Sequence, residues 1–329
     1  MSPIAKCFCL LFLVLLLLGC QNQKAEIFTV QGATTSSSGI QATFTSVPTL
    51  TPEVRETQRV NTPTPTMLTT QIQPTSQKLP DKEKLAQDIE AIIAQFGGRW
   101  HIVIQQIDGE TLYSRQPDDR INIASVVKVP LSLLFFAALE EKGIDEDNLS
   151  AYLQSTGTGG RTFDQLLRAM LVKSEEEATK ILDEYIRDSI NVPTQMEEWG
   201  LSGIDLVARR YTAEGVAEIF ARLYQGDFVS PAARTLLLNY LSEYTPNDDL
   251  RLGSLSTKIP ESFKIYNKRG SLLTPYVVAD CAILENTQGA DYVIILFAYQ
   301  GDPKTTYEAL EQAQEAMATA IWNYINPEE

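Results

Sequence analysis

From residue 81 onward the apolar positions change period several times, and each change predicts an element. Leu85, Ile89, Ile92, Ile93 and Phe96 recur at helical spacing between Pro80-Asp81 and Gly97-Gly98, which predicts an amphipathic helix. Trp100–Ile107 alternates like a strand. With the turn Asp108-Gly109 and a second run Thr111–Arg115, it predicts a β-hairpin. Leu131–Leu139 is apolar on nearly every side and has helical length, with Gly143 as a stop, so it predicts a buried helix. From about Gly143 to Leu255 the patterning is helical: Thr162 caps Phe163–Val172, Ser174 caps a helix to about Arg187, Thr212 caps Ala213–Gln225, and Ser230-Pro231 opens another. Strand patterning returns at Phe263–Lys268, Tyr276–Leu284 and Tyr292–Tyr299. Asn286 to Asp291 turns the last two into a hairpin, and Asp302-Pro303 starts a terminal helix to about Tyr324. No long helix separates successive strands, which disfavours a parallel sheet. The expected fold class is α+β, with one antiparallel sheet built from both ends of the chain and an all-helical insertion between them.

The first residues read differently. Lys6 precedes an apolar stretch, Cys7 through Leu18, that is too short for a comfortable membrane span. Leu17-Leu18-Gly19-Cys20 resembles a bacterial lipobox, which implies cleavage before Cys20 and lipidation of its sulfur. Residues 21–80 are rich in Thr, Ser, Pro and Gln. Such a tract has too little apolar surface to offset chain entropy and is expected to be a disordered tether with a reach of roughly 40–50 Å. The expected organisation is a signal peptide (1–20), a tether (21–80) and a single catalytic domain (81–329), outside the cytoplasm and lipid-anchored to the bacterial membrane.

Charge and residue counts narrow the chemistry. A formal net charge of −15 over 329 residues disfavours nucleic acid as a partner. There is one histidine, His101, and it sits in a strand-like run, so a structural role is expected. A Ser-His-Asp triad would have to use it, and no G-x-S-x-G elbow surrounds any serine. The His and Cys ligands that a zinc hydrolase needs are missing, and neither metal nor cofactor is expected. Once the N-terminus is processed only Cys281 remains as a free thiol, in an apolar run, so a buried inert thiol is expected there. Any base must be lysine or a carboxylate.

Ser125 and Lys128 stand three residues apart where the buried helix opens. At that spacing the amine lies beside the hydroxyl, and a desolvated lysine can act as its base. Taken alone, the pair reads more readily as a helix cap followed by a snorkelling lysine. Two later pieces change its weight. Ser174-Glu175-Glu176-Glu177 follows Lys173 at a helix start, and Lys268-Arg269-Gly270-Ser271 lies at the end of a strand beyond the helical insertion. Ser174 with Glu177 is also a complete capping box.

In this order and spacing the segments resemble the class A β-lactamases and their penicillin-binding relatives, whose motifs are S-x-x-K, S-D-N and K-T-G. The resemblance runs from about Leu85 to Tyr324 and includes the Asp249-Leu250-Arg251-Leu252 run. It implies an α/β/α sandwich of the β-lactamase/transpeptidase type. It further implies Ser125 as the acylated nucleophile, Lys128 as its base, Ser174 as proton relay to the leaving nitrogen and Lys268 as the carboxylate-binding cation. The backbone N–H groups of Ser125 and Ser271 would form the oxyanion hole, with Gly270 allowing close approach.

Three departures qualify this. Glu175-Glu176 replaces Asp-Asn, so Glu176 lines the substrate site as an acceptor only when ionised, and a salt bridge from it to Lys128 would hold that lysine protonated and weaken it as a base. Arg269 replaces the small hydroxyl residue of K-T-G. The loop that carries the family's deacylating glutamate is short, and between Glu198 and Thr212 Asp205 is the only carboxylate. The expectation is therefore a serine hydrolase that acylates on a β-lactam or related amide or ester and deacylates slowly. A penicillin-binding, D,D-peptidase-like or sensor protein and a non-catalytic cell-wall-binding module remain alternatives. A small molecule or cell-wall peptide is the expected partner of a monomer.

Overall fold

A computed structural model describes residues 81–243 and 251–327. The lipobox with Cys20, the tether, and Asp249-Leu250 lie outside the described residues. The centre is a five-stranded antiparallel sheet. Strands β1 (Arg99–Gln106) and β2 (Thr111–Arg115) come from the start of the domain. Strands β7 (Phe263–Leu273), β8 (Tyr276–Asn286) and β9 (Tyr292–Tyr299) come from its end, giving the order β2-β1-β9-β8-β7. The two ends of the chain meet where β1 pairs with β9, from Arg99↔Tyr299 to Gln106↔Tyr292. Two short ribbons complete the strands: β3 (Ile121–Asn122) with β6 (Arg210–Tyr211), and β4 (Gly157–Thr158) with β5 (Arg161–Thr162).

Both faces of the sheet are covered. On one, α1 (Lys82–Phe96) and α9 (Tyr307–Ile325) bury Leu85, Ile89, Met317 and Ile321 against Ile102, Ile104, Ile294 and Leu296. On the other, Val103, Cys281 and Ile295 face the helical insertion: α2 (Lys128–Glu141), α3 (Leu149–Ser155), α4 (Phe163–Leu171), α5 (Glu176–Ser189), α6 (Val192–Glu198), α7 (Ala213–Gln225) and α8 (Pro231–Ser242). Helix α2 runs through the middle of this layer, and every residue from Lys128 to Leu139 is buried. Its fully buried leucines and phenylalanines contribute roughly 1.5–3 kcal/mol each, enough to hold the helix whatever its polar first turn does. The α+β sandwich is thus the architecture seen. Cys281 is fully buried, and burial pushes its thiol well above its usual range.

Local chemistry sets the element ends, with three corrections to the sequence reading. Thr162 and Gln165 form a reciprocal capping box on α4, and Thr212 accepts from Gly215 N at 2.9 Å to cap α7. Ser174, however, does not cap α5. The chain turns one residue later, with Glu175 in the N-cap position and Ser174 in the left-handed region (φ 57°), so the capping box with Glu177 does not form. Ser125 does not open an α-helix either. It lies in a one-turn 3₁₀ helix, Ala124–Val127, and α2 begins at Lys128. The terminal helix starts at Thr306, whose side chain accepts from Ala309 N; Asp302 instead ties down the preceding loop through Lys304 N and Thr305 Oγ1. Strand β7 extends past Lys268 to Leu273, placing Gly270 and Ser271 inside the ladder opposite Ala279 and Val278.

Candidate active site

The site is built where the start of α2, the start of α5 and strand β7 converge. In a 3₁₀ turn residues i and i+3 eclipse, and the Lys128 N–H donates to the Ser125 carbonyl. The same turn therefore brings Lys128 Nζ to 3.2 Å from Ser125 Oγ. The turn is set by Ala124, a non-glycine residue at φ 47°, whose N–H donates to Asn122 Oδ1 at 2.8 Å. Left-handed backbone at a residue with a Cβ is strained and needs such a hold. Asn122 went unnoticed in the sequence; only its place just before the nucleophile turn hints at the task.

Lys128 is fully buried, and four oxygens lie within hydrogen-bond distance of its amine, one more than its three N–H groups can serve singly. Besides Ser125 Oγ these are the Ser174 carbonyl (2.6 Å), Ser174 Oγ (3.2 Å) and Glu176 Oε1 (2.7 Å). Lys268, fully buried on β7, donates to the same Ser174 Oγ at 3.1 Å. One hydroxyl thus accepts from two amines contributed from opposite sides of the site and keeps its own proton for a third partner. The left-handed turn at Ser174 permits this, since its oxygen points to the amines and not along the helix axis.

Burial is the largest influence on both lysines. Desolvation pushes Lys128 down from its usual range; Glu176 pulls it back up, and burial wins. Glu176 does form the salt bridge, and it raises Lys128 as the sequence reading held, while burial outweighs it and leaves the net shift downward. Lys268 is lowered to about 7, first by burial and then by the charge of Lys128. The Glu176 carboxyl is held down at about 2, foremost by hydrogen bonds from Arg209, whose guanidinium grips both of its oxygens. Arg209 comes from the short loop that lacks the family's glutamate. Adjacent basic residues Arg209-Arg210 were the available signal. Asp205 in that loop is structural: Oδ1 accepts from Ala208 N at 2.8 Å, and its backbone bridges to Arg210.

Gly270 brings β7 against the nucleophile. A Cβ there would lie 2.7 Å from Ser125 N and 2.9 Å from the Ala124 Cβ, so only a glycine lets the strand come this close. Ser271 follows it, exposed on the same strand. Arg269 is not brought together with the other site residues. Its register partner is Asp280, opposite in facing to Lys268 and Cys281, and its charge environment is Asp280, Tyr307 and Glu311 on the α9 side. On that face Asp280 accepts from Asn267 Nδ2 (2.9 Å) and Leu252 N (3.1 Å), a buried polar cluster under the strand. Glu175 turns outward to Arg161 at 2.6 Å.

The sequence profile of the Beta-lactamase enzyme family matches residues 84–325. The chain belongs to this family. No curated protein sequence matches it. Among solved structures it is similar to a β-lactamase from Sphaerobacter thermophilus, with a TM-score of 0.60 at 22% identity, over 76% of this chain and 99% of that one. Those from Chitinophaga pinensis (TM-score 0.58, 16% identity, 74% and 99% covered) and Burkholderia vietnamiensis (0.59, 18%, 74% and 97%) are also similar. At these identities the likeness carries the β-lactamase fold. The family places the chain among β-lactamase-like serine hydrolases. Among the described residues no three His, Cys, Asp or Glu side chains are grouped to hold a metal ion, and His101 is buried in β1 with Nδ1 against the Gln116 carbonyl at 3.0 Å.

Proposed function

We propose that Ser125 forms an acyl-enzyme with a β-lactam or a related amide or ester, and that deacylation is slow. The observation that carries this is the Ser174 hydroxyl held between the buried amines of Lys128 and Lys268, next to Ser125. In its neutral form Lys128 takes the Ser125 proton as the oxygen attacks the carbonyl carbon. The tetrahedral oxyanion sits on the N–H groups of Ser125 and Ser271. As the C–N bond breaks, Ser174 gives its proton to the leaving nitrogen and is refilled from the amines behind it. Protonated Lys268 draws the substrate carboxylate to this end of the site.

Hydrolysis of the ester then needs a second base aimed at a water. The carboxylate seen at Lys128 is Glu176, and the Arg209 guanidinium makes it a weak one. That feature favours a second reading, in which a long-lived acyl-enzyme is itself the output, as in a penicillin-binding or sensor protein. Intact-mass spectrometry of the full-length protein with a β-lactam over time tests both. The expected result is a stoichiometric adduct on Ser125, absent in Ser125→Ala and lost over many minutes. No adduct with a β-lactam or an acyl fluorophosphonate would remove the nucleophile assignment, and rapid nitrocefin turnover would remove slow deacylation.

We further propose that Cys20 is lipidated and holds the domain at the outer face of the bacterial membrane. Cys20→Ser should release the protein from the membrane fraction of expressing cells; retention there would exclude a lipid anchor.

A further inference from the structure

The short loop that leads into β6 is pinned beside the nucleophile by its own backbone. The Ile123 N–H, at the N-cap of the 3₁₀ turn that carries Ser125, donates to the Arg209 carbonyl at 2.8 Å. Arg210, the next residue, pairs with Asn122 in the β3–β6 ribbon and bridges back to Asp205. Arg209 itself stands at φ 54°, a left-handed conformation that a residue with a Cβ keeps only where its surroundings impose it. Its guanidinium is thereby held at the start of α5, where it donates to both oxygens of Glu176. A two-pronged, charge-assisted contact of this kind is among the strong ones.

Glu176 is otherwise placed as a base would be. Its Oε1 lies 2.7 Å from Lys128 Nζ, and the same amine lies 3.2 Å from Ser125 Oγ. The carboxylate and the serine oxygen thus share one neighbour, within the reach of a base that acts through a water. The Glu176 side chain is 58% exposed, so water has access to it. What it lacks is basicity. Hydrogen bonds from Arg209 come first among the influences that hold its carboxyl at about 2, and Lys128 follows. During acylation Lys128 passes its proton on toward the leaving nitrogen, which leaves the guanidinium as the cation bonded to this carboxylate.

We propose that Arg209 is an inhibitory clamp, holding both oxygens of Glu176 so that this carboxylate does not activate water against the acyl-Ser125 ester. The clamp presupposes acylation of Ser125, and it sets the lifetime of the adduct. With the clamp removed, Glu176 takes a proton from water as the water oxygen bonds to the ester carbonyl carbon. The tetrahedral intermediate then collapses, the bond between that carbon and Ser125 Oγ breaks, and the carboxylic acid product leaves. The proton on Glu176 passes through Lys128 to the Ser125 oxygen, which restores the free hydroxyl.

Full-length protein labelled with benzylpenicillin, freed of excess and followed by intact mass spectrometry tests this. Arg209→Gln should lose the Ser125 adduct at least about tenfold faster than the parent, since a positioned general base contributes that much or more. Arg209→Lys, which keeps the charge but not the two-pronged grip, should fall between them. Arg209→Gln combined with Glu176→Gln should hold the adduct as long as the parent does. A loosened fold would not produce a gain that needs the Glu176 carboxyl. The gain should also fade at pH values below the ordinary carboxyl value of 4.5, as Glu176 takes up its proton; Lys128, Arg209 and the more distant Lys268 are the cations facing it in the parent. An adduct that lasts as long in Arg209→Gln as in the parent, or one lost equally fast in the double variant, would overturn the clamp and leave acylation standing. No adduct on any of these proteins would remove the acylation reading, and the clamp with it. Should Arg209→Gln fail to fold, Arg209→Lys against the parent decides, with faster loss expected and an equal lifetime overturning the proposal.

Discussion

Glu176 reaches the buried amine of Lys128 at 2.7 Å. It stands at the place of the asparagine in the S-D-N motif, so a side chain with N–H donors is exchanged for a charged acceptor. The consequence for Lys128 is a contest between burial and a neighbouring anion, and substitutions at Glu176 read out its balance.

Glu176→Asn removes the group that raises the Lys128 pKa. The neutral amine should then be present at lower pH, so the rising limb of acylation rate against pH should move to the acid side. Acylation at neutral pH should increase by roughly three- to tenfold. Stopped-flow acylation across pH checks this, and a limb that stays in place would mean Lys128 is not the base.

The same carboxyl links folding to acidity. Its folded value is about 2 against an ordinary 4.5, so its contribution is present above the ordinary value and is lost as pH falls through about 2. Arg209→Gln should bring that loss to higher pH in an acid-unfolding titration. An unchanged midpoint would mean that Arg209 does not hold Glu176 in solution.

Lys268 should give a slope of the same sign in a higher pH window, but as a penalty relieved and not as a contribution gained. At about 7 in the folded chain against 10.5 when unfolded, it leaves the unfolded state holding more protons between those values, so stability rises with pH across that window. Lys268→Met should flatten the rise in urea unfolding measured at neutral and alkaline pH. It should also stabilise the protein near neutral pH while abolishing acylation, since a buried charge is replaced by an apolar chain.

Gly270→Ala places a methyl group 2.7 Å from a backbone nitrogen, which cannot swing aside like a side chain. A stability loss of about 1–3 kcal/mol is expected, with acylation reduced by tenfold or more as the nucleophile turn shifts. Denaturant unfolding and acyl-probe labelling measure the two effects separately.

Much of the scaffold was legible because burial writes itself into periodicity. The alternation in Trp100–Ile107 and the all-round apolar run Leu131–Leu139 each had one compatible element, and Thr162 and Thr212 had one compatible use. The errors sit at the chemistry. Ser174 satisfied a local capping rule, yet Lys128 and Lys268, distant in sequence, draw its oxygen away. Ser125 looked like a helix start, while the left-handed Ala124 delays the helix to Lys128. Arg209 meets Glu176 across 33 positions, and nothing local in either segment encodes that pairing. Arg269 was read by its place in a motif; strand alternation would have turned it to the other face.

Strand β7 ends the sheet, with β8 as its ladder partner on one side and the turn carrying Ser125 pressed along it at Gly270. A strand edge in general can pair with an extended amide through backbone N–H and C=O groups, regardless of side chains. Discrimination between substrates then falls to the few groups at the ends of that edge. If the proposed acylation holds, exchanging Glu176 should therefore change substrate preference more than any change along the strand itself.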